Sequence, residues 1–147
     1  MQLEAIGKKI DNPNGVTDIV VLGGFNDTNW SRSNEELDFA IKQFKSFANS
    51  RYKNAKISFM YVAVDYRNEL MVLKRESYYS VFQNLCEENE IEFVEDANKI
   101  LVKKSDIYWS EDDKNSAYHP STKGAQKIAT GIAEYLTTGK LENVIAE

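Results

Sequence analysis

The sequence has very few of the residues that build disulfides and metal centres. Among its 147 residues it holds one cysteine, Cys86, and one histidine, His119. A single cysteine excludes a disulfide within the chain. One cysteine and one histidine are also too few ligands for a structural zinc site. We therefore expect neither a metal nor a cofactor.

Long apolar runs and clusters of basic residues are absent as well. No apolar run reaches the roughly 20 residues that cross a bilayer, and the first residues mix acidic with basic side chains, unlike a signal peptide. Lys and Arg are scattered, and the net charge is -5, so nucleic acid is not an expected partner. These absences predict a cytoplasmic protein with no membrane span. The length predicts one domain over residues 1–147.

Helix-like and strand-like segments alternate along the chain. The predicted helices cover residues 2–10, 33–48, 74–89 and 120–138, and the predicted strands cover 19–23, 56–65 and 91–94. A long loop is predicted over 105–118. The strand over 19–23 is a continuous apolar run, which is typical of a strand buried on both faces. Such alternation indicates the α/β class, with a parallel sheet between two layers of helices.

Two of the helices carry clear boundary signals. Ser33 and Glu36 have the spacing of a capping box. For the last helix, Pro120 is expected at the first helical position and Gly139 just after the end. Its spacing predicts an inner face made of Ala125, Ile128, Ala129, Ile132, Ala133 and Leu136.

The most informative stretch is the apolar strand that ends in Gly23-Gly-Phe-Asn-Asp27. Ligand sites of open parallel sheets form at the carboxyl ends of strands, and the two glycines allow a sharp turn in a loop. The Asn26 amide is suited to an oxygen that becomes negative during a reaction, and Asp27 is suited to hold the loop. Gly, Asn and Asp also dominate ordinary turns, so turn chemistry alone is the alternative.

His119 is the natural general base of this sequence. The unperturbed pKa of imidazole lies near neutrality, and the residue stands at the end of a loop just before a helix. A helix cap or a surface histidine is the structural alternative. We prefer the general base because Asn26 supplies the matching donor at a strand end.

These stretches resemble two sequence blocks of the SGNH (GDSL-type) hydrolases. Gly24-Phe-Asn-Asp27 is similar to the third block, Gly-x-Asn-Asp, and His119-Pro120, followed by Gly124 and a helix, resembles the fifth block, Asp-x-x-His-Pro. The resemblance implies a flavodoxin-like fold and a lipase- or esterase-like acylhydrolase acting on a small-molecule ester. It implies that Asn26 is the oxyanion donor within its block and that His119 is the base.

The chain departs from that family at the nucleophile. It contains no Gly-Asp-Ser, and Gly7 and Gly15 lie too close to Gly24 to replace the second-block glycine. Ser31 and Ser33 follow the Asn26 stretch, and Ser33 is better explained as a helix cap. Cys86 falls on the apolar face of a predicted helix, so no residue is a convincing nucleophile from the sequence. We therefore expect a partial domain that lacks the family's first two strands and is inactive or weakly active alone.

The acid that orients the histidine is also replaced. Ser116 stands three residues before His119, where the family has an aspartate. Asp112 or Asp113 is the possible substitute.

In the family, the strand that carries the nucleophile lies beside the strand that corresponds to residues 18–23. Without that neighbour, the strand over 18–23 would have an unpaired edge. Such edges recruit another strand. We expect this strand to pair with a second copy of the chain, most simply across a two-fold axis, which gives a homodimer.

Two other functions fit parts of the pattern. A non-catalytic module would bind a sugar or another flat ligand on the aromatic side chains Trp30, Tyr66, Tyr108, Trp109 and Tyr118, for which core cover under long loops is the structural alternative. The substrate contacts expected of the hydrolase are Phe25, Trp30, Trp109 and Tyr118. A receiver-like domain would hold Mg²⁺ on acids at strand ends, namely Asp27, Asp65 and Asp96.

Overall fold

The protein is a mixed α/β protein, as the alternation of segments predicts. The structure is a computed structural model and describes residues 12–62, 69–101, 106–107 and 119–146. The elements in chain order are β1 (Asp18–Leu22), α1 (Phe25–Asn29), α2 (Asn34–Arg51), β2 (Lys56–Met60), α3 (Glu69–Glu88), β3 (Glu92–Phe93), α4 (Thr122–Thr138) and α5 (Glu142–Ala146). Short 3-10 turns cover Pro13–Gly15 and Ala97–Lys99. The helix predicted over residues 2–10 lies outside the described residues.

The three strands form one parallel sheet in the order β1-β2-β3. In the part of the chain that the structure describes, β1 pairs with β2 alone, from Asp18 opposite Lys56 to Leu22 opposite Met60. The prediction that this strand is buried on both faces is wrong at its carboxyl end. Leu22 is 45% exposed, and only Val21 of this strand is fully buried.

Helices cover both faces of the sheet. Neighbouring side chains of β2 point to opposite faces, so Ile57 and Phe59 join one apolar cluster with side chains of α2 and α3. Met60 joins a second cluster with side chains of α4 and α5. The described residues therefore form three layers, with the sheet in the middle.

The start of α2 confirms the predicted capping box. Ser33 Oγ accepts a hydrogen bond from Glu36 N at 3.3 Å, and Glu36 Oε2 accepts one from Ser33 N at 2.9 Å. The helix buries Leu37 and Ala48 fully, and Ile41, Phe44 and Phe47 pack partly buried against the same apolar cluster.

The predicted inner face of α4 is confirmed only in part. Ile128 and Ile132 are half-buried against the second apolar cluster, whereas Leu136 is 49% exposed and the three predicted alanines are exposed. The residues that α4 buries fully are Gly124, Lys127, Gly131 and Tyr135. The two glycines allow a close approach: a Cβ on Gly124 would lie 1.8 Å from the Asp106 carbonyl oxygen, and one on Gly131 would lie 3.0 Å from Ile100 Cδ1.

The boundaries of α4 are partly as predicted. The first helical residue is Thr122 and not Pro120. Ser121 is the N-cap, and its Oγ accepts a hydrogen bond from Gly124 N at 3.1 Å. Pro120 instead forms an isolated antiparallel bridge with Ile107, which holds it outside the helix. Gly139 ends the helix with φ of 76°, which confirms that boundary.

Three other elements differ from their predicted ranges. Helix α3 starts five residues earlier than predicted, at Glu69. Strand β2 ends at Met60 instead of residue 65, and residues 63–68 lie outside the described ranges. Strand β3 has only two residues, because only Ser58 and Phe59 of β2 oppose it. The sequence thus predicts that these helices and strands exist, but it does not predict where they begin and end.

Candidate functional site

The turn at the carboxyl end of β1 depends on one glycine. Gly24 has φ of 88°, and a Cβ there would lie 2.6 Å from the Phe82 ring and 2.7 Å from the Tyr61 ring. The chain therefore reverses within one residue and enters α1 directly, where Thr28 N donates to Gly24 O at 3.0 Å. The prediction of a loop over Gly24 to Asp27 is wrong in this respect: Asn26 and Asp27 lie in the first turn of a short helix.

The buried side of α1 is held by neutral hydrogen-bonding groups. Thr28 is fully buried, and its Oγ1 donates to Gly24 O at 2.8 Å and lies 3.0 Å from Tyr61 Oη. Tyr61 Oη in turn donates to Arg75 O at 3.1 Å. Burial raises the pKa of the Tyr61 phenol, so this group stays neutral at physiological pH. The turn is thus fixed from beneath by Thr28 and Tyr61.

Arg75 holds both ends of α1. Its side chain is buried, and its guanidinium donates to Phe25 O at 2.5 Å and to Asn29 Oδ1 at 2.9 Å. The guanidinium carbon also lies 3.7 Å from the centre of the Phe25 ring, a cation–π contact. Sequence reasoning missed this residue, because an arginine in a helix is ordinarily a surface residue.

The His119 segment is anchored to a short stretch at residues 106–107. Pro120 bridges to Ile107, and Ser121 N donates to Asp106 O at 2.9 Å. The Asp106 carboxylate is fully buried and pairs with Lys127 Nζ at 3.2 Å. His119 itself is exposed at the start of this anchored segment.

The two turns meet at one small cavity. A cavity of about 200 Å³ is lined by Leu22, Gly23, Phe25, Val62, Leu101, His119, Pro120 and Ile128. His119 is the only ionisable residue among these lining residues, and the other side chains are apolar. The structure therefore places His119 and the turn at the carboxyl end of β1 at the same cavity.

Asn26 and Asp27 do not line that cavity. Asn26 is exposed to solvent. Asp27 and Gly24 line a neighbouring cavity of about 290 Å³ between β1, α2 and α3, whose other lining residues are apolar except for glycine. Asn26 thus follows Phe25, which lines the smaller cavity, but does not line that cavity itself. The oxyanion role predicted for Asn26 stays a prediction.

Of the other predicted site residues, the structure describes Trp30, and the rest lie outside the described residues. Trp30 follows α1, is 68% exposed, and carries the Arg32 guanidinium 5.5 Å from the centre of its ring. The remaining predicted site residues lie outside the described residues: Asp112, Asp113, Trp109 and Tyr118, with Ser116, Tyr66 and Tyr108.

Cys86 is a core residue, as the sequence suggests. It is fully buried in the cluster between the sheet and α3. Burial raises the pKa of its thiol to about 12, so the reactive thiolate is scarce at neutral pH.

The acids considered for Mg²⁺ do not assemble in the described ranges. Within those ranges, no group of three or more His, Cys, Asp or Glu residues could hold a metal ion. Asp96 pairs with Lys99 at 2.7 Å, and Asp65 lies outside the described residues. The described residues therefore offer no support for the receiver-like function.

Comparisons with protein-family models, curated proteins and solved structures gave no match. Among the residues that the structure describes, none of the helices has the length and apolar character that a membrane crossing requires. The geometry and chemistry of the site therefore carry the functional argument.

Proposed function

We propose that the cavity between the Gly23–Phe25 turn and His119 is the acyl pocket of an ester-hydrolysing site. The observation that carries the proposal is that His119 lines the same cavity as Gly23 and Phe25. The cavity lies at the carboxyl end of a parallel strand, where α/β proteins commonly bind their ligands. The resemblance of both stretches to SGNH-hydrolase blocks supports the same assignment.

The size of the cavity favours a short acyl group. Pockets for drug-sized ligands measure about 300–1,000 Å³, and this one is about 200 Å³ with a largely apolar lining. An acetyl to butyryl group suits such a volume, whereas a long lipid chain does not. The proposed substrates are therefore esters of short-chain carboxylic acids.

His119 acts as the proton carrier in the proposed reaction. Its neutral imidazole takes a proton from the attacking hydroxyl, of water or of a serine, as the new bond to the ester carbonyl carbon forms. It then returns that proton to the alkoxide that leaves when the ester C–O bond breaks. The exposed Asn26 amide donates a hydrogen bond to the carbonyl oxygen while that oxygen is negative.

The flavodoxin-like SGNH architecture is a proposal of the same kind. Two features support a sheet that continues beyond β1: β1 pairs only with β2 among the described strands, and Leu22 on β1 is exposed. We propose that a second copy of the chain covers this edge. Light scattering at micromolar concentration should then report a dimer, and a monodisperse monomer would contradict the pairing.

The hydrolase proposal is tested with p-nitrophenyl acetate. His119→Ala and Asn26→Ala should each lower the rate at least ~10²-fold, because each removes a group that acts on the transition state. Asn84→Ala is the matched control, since Asn84 is an exposed asparagine on α3. A rate in His119→Ala equal to that of the unsubstituted chain would refute the assignment, as would an unsubstituted chain no faster than free imidazole.

A further inference from the structure

The residue that follows α1 and its C-cap is a serine in a conformation that favours glycine. Ser31 has φ of 52°. Ser31 N donates to Thr28 O at 3.1 Å, and Arg32 N donates to Asp27 O at 3.0 Å, which is the Schellman pattern of a helix end. Glycine is the usual residue at this left-handed position, and side chains there are strained. Strained residues of this kind cluster at functional sites.

The hydroxyl of this serine contacts a lysine from a distant part of the chain. Lys74 Nζ lies 2.8 Å from Ser31 Oγ, across 43 residues of sequence, and 3.2 Å from Asn29 O. Lys74 is half-buried on α3. Both of these contacts join the amine to uncharged oxygens.

We propose that Ser31 and Lys74 are a nucleophile and its general base. A hydroxyl and a base within hydrogen-bond distance are the signature of an activated nucleophile, and serine–lysine pairs are a known variant of the serine–histidine arrangement. This inference rests on the proposed function for its substrate class, an ester. It supplies the nucleophile that the Gly-Asp-Ser block would otherwise bring.

The covalent step balances without any further reactant. Ser31 Oγ attacks the carbonyl carbon while neutral Lys74 Nζ takes the hydroxyl proton. The ester C–O bond breaks, the leaving alkoxide takes that proton from Lys74, and the acyl group stays on Ser31. Water then attacks the acyl-serine while His119 takes its proton, and His119 returns that proton to Ser31 Oγ as the acyl C–O bond breaks, which releases the carboxylic acid and restores the Ser31 hydroxyl.

The position of the pair suits an aryl ester. Trp30 lies next to Ser31 and is 68% exposed, so it offers an aromatic surface to an aromatic leaving group. Asn26 precedes Ser31 by five residues and lies on α1, which Thr28 and Arg75 hold in place. The proposed nucleophile and the proposed oxyanion donor therefore belong to one rigid unit.

The test is covalent labelling of the whole chain with a fluorophosphonate, followed by mass spectrometry of its peptides. We expect an adduct on Ser31 that forms faster as pH rises, because only a neutral lysine accepts the proton. Ser31→Gly should fold, since glycine relieves the strained φ, and should lose the adduct. Lys74→Met should slow labelling at least tenfold, whereas Ser80→Ala, which changes an exposed serine on α3, should label normally.

Each outcome assigns failure to one claim. No adduct on Ser31, or equal labelling of Lys74→Met and the unsubstituted chain, would overturn the pair, and circular dichroism would verify that each variant is folded. If His119→Ala loses ester hydrolysis while Ser31 never labels, the proposed function survives without this nucleophile. If Ser31 labels while His119→Ala hydrolyses esters normally, the pair survives and the role of His119 fails.

Discussion

The two turns that meet at the cavity are held by different kinds of interaction. The turn at Gly24 rests on hydrogen bonds through the neutral groups Thr28 and Tyr61, and each such bond contributes about 1 kcal/mol to stability. The buried Arg75 guanidinium adds hydrogen bonds to the uncharged oxygens Phe25 O and Asn29 Oδ1. The turn at His119 rests on the buried pair of Asp106 and Lys127. Removing one partner of a buried pair leaves an uncompensated charge. The histidine side of the cavity should therefore be the more easily broken half.

The largest expected effect comes from breaking the buried ion pair. Lys127→Met should lower the free energy of unfolding by about 3–5 kcal/mol, because the Asp106 carboxylate stays buried without its cation. Urea unfolding measures the change. Lys123→Met, an exposed lysine on the same helix, should change stability by less than about 0.5 kcal/mol. Equal stability of the two variants would remove the difference between the turns.

The next effect concerns the packing of the Gly24 turn. Gly24→Ala should lower the free energy of unfolding by about 2–4 kcal/mol, the sum of left-handed strain and overpacking against Phe82 and Tyr61. Gly139→Ala is the matched control: Gly139 has φ of 76° but no atom within 4 Å of its would-be Cβ. It should lose only the strain, about 1–2 kcal/mol. Equal losses in the two variants would show that packing contributes nothing at Gly24.

A smaller effect should follow from the hydroxyl of Thr28. Thr28→Val keeps the shape of the side chain but leaves Gly24 O and Tyr61 Oη without this partner, and we expect a loss of about 1–2 kcal/mol. Thr28→Ser restores the hydroxyl and should retain the hydrogen bonds. If denaturant unfolding shows that Thr28→Val lowers the free energy of unfolding as much as Lys127→Met does, the contrast between the Thr28 hydrogen bonds and the buried Asp106–Lys127 ion pair is wrong.

The smallest effect lies far from both turns, at an exposed carboxylate. Glu134 accepts hydrogen bonds from Asn143 N at 2.8 Å, Asn143 Nδ2 at 2.9 Å and Val144 N at 2.9 Å, and the backbone bond from Asn143 is the main cause that lowers the pKa of Glu134 from 4.5. Its stabilisation is therefore present above pH 4.5 and is lost as the pH falls through the lowered pKa.

Thermal unfolding across that pH range tests the carboxylate. Glu134→Gln should lower Tm slightly at neutral pH and leave Tm unchanged in acid, where the unsubstituted chain has lost the same contribution. Glu142→Gln is the control, since Glu142 pairs with Lys140 on the surface. An identical Tm difference at both pH values would contradict the role of the charge.

Local signals in the sequence predict local structure well and contacts between distant segments poorly. The capping box of Ser33 and Glu36 is complete within four residues and is confirmed. The short helix α1 is missed because Gly, Asn and Asp favour turns. The inner face of α4 is recovered at Ile128 and Ile132 but missed at Gly124 and Gly131, because no hydrophobic pattern marks a glycine.

The same limit applies to the site. The strand-end position of the Gly23–Asp27 stretch follows from its apolar strand and its glycines, and His119 is the only histidine available. Arg75 and Lys74 contact residues in or next to α1 from positions on α3 that are more than 40 residues away in the sequence. The residues near α1 in the sequence therefore cannot predict these contacts.

A double-mutant cycle on p-nitrophenyl acetate hydrolysis tests most directly whether Asn26 and His119 form one site. The rates of the unsubstituted chain, Asn26→Ala, His119→Ala and the double variant are compared. Groups that act as a unit have strongly non-additive effects, so the account predicts that the double variant is little slower than His119→Ala alone. A double variant slowed by the full product of the two single effects, or single variants with unchanged rates, would contradict it.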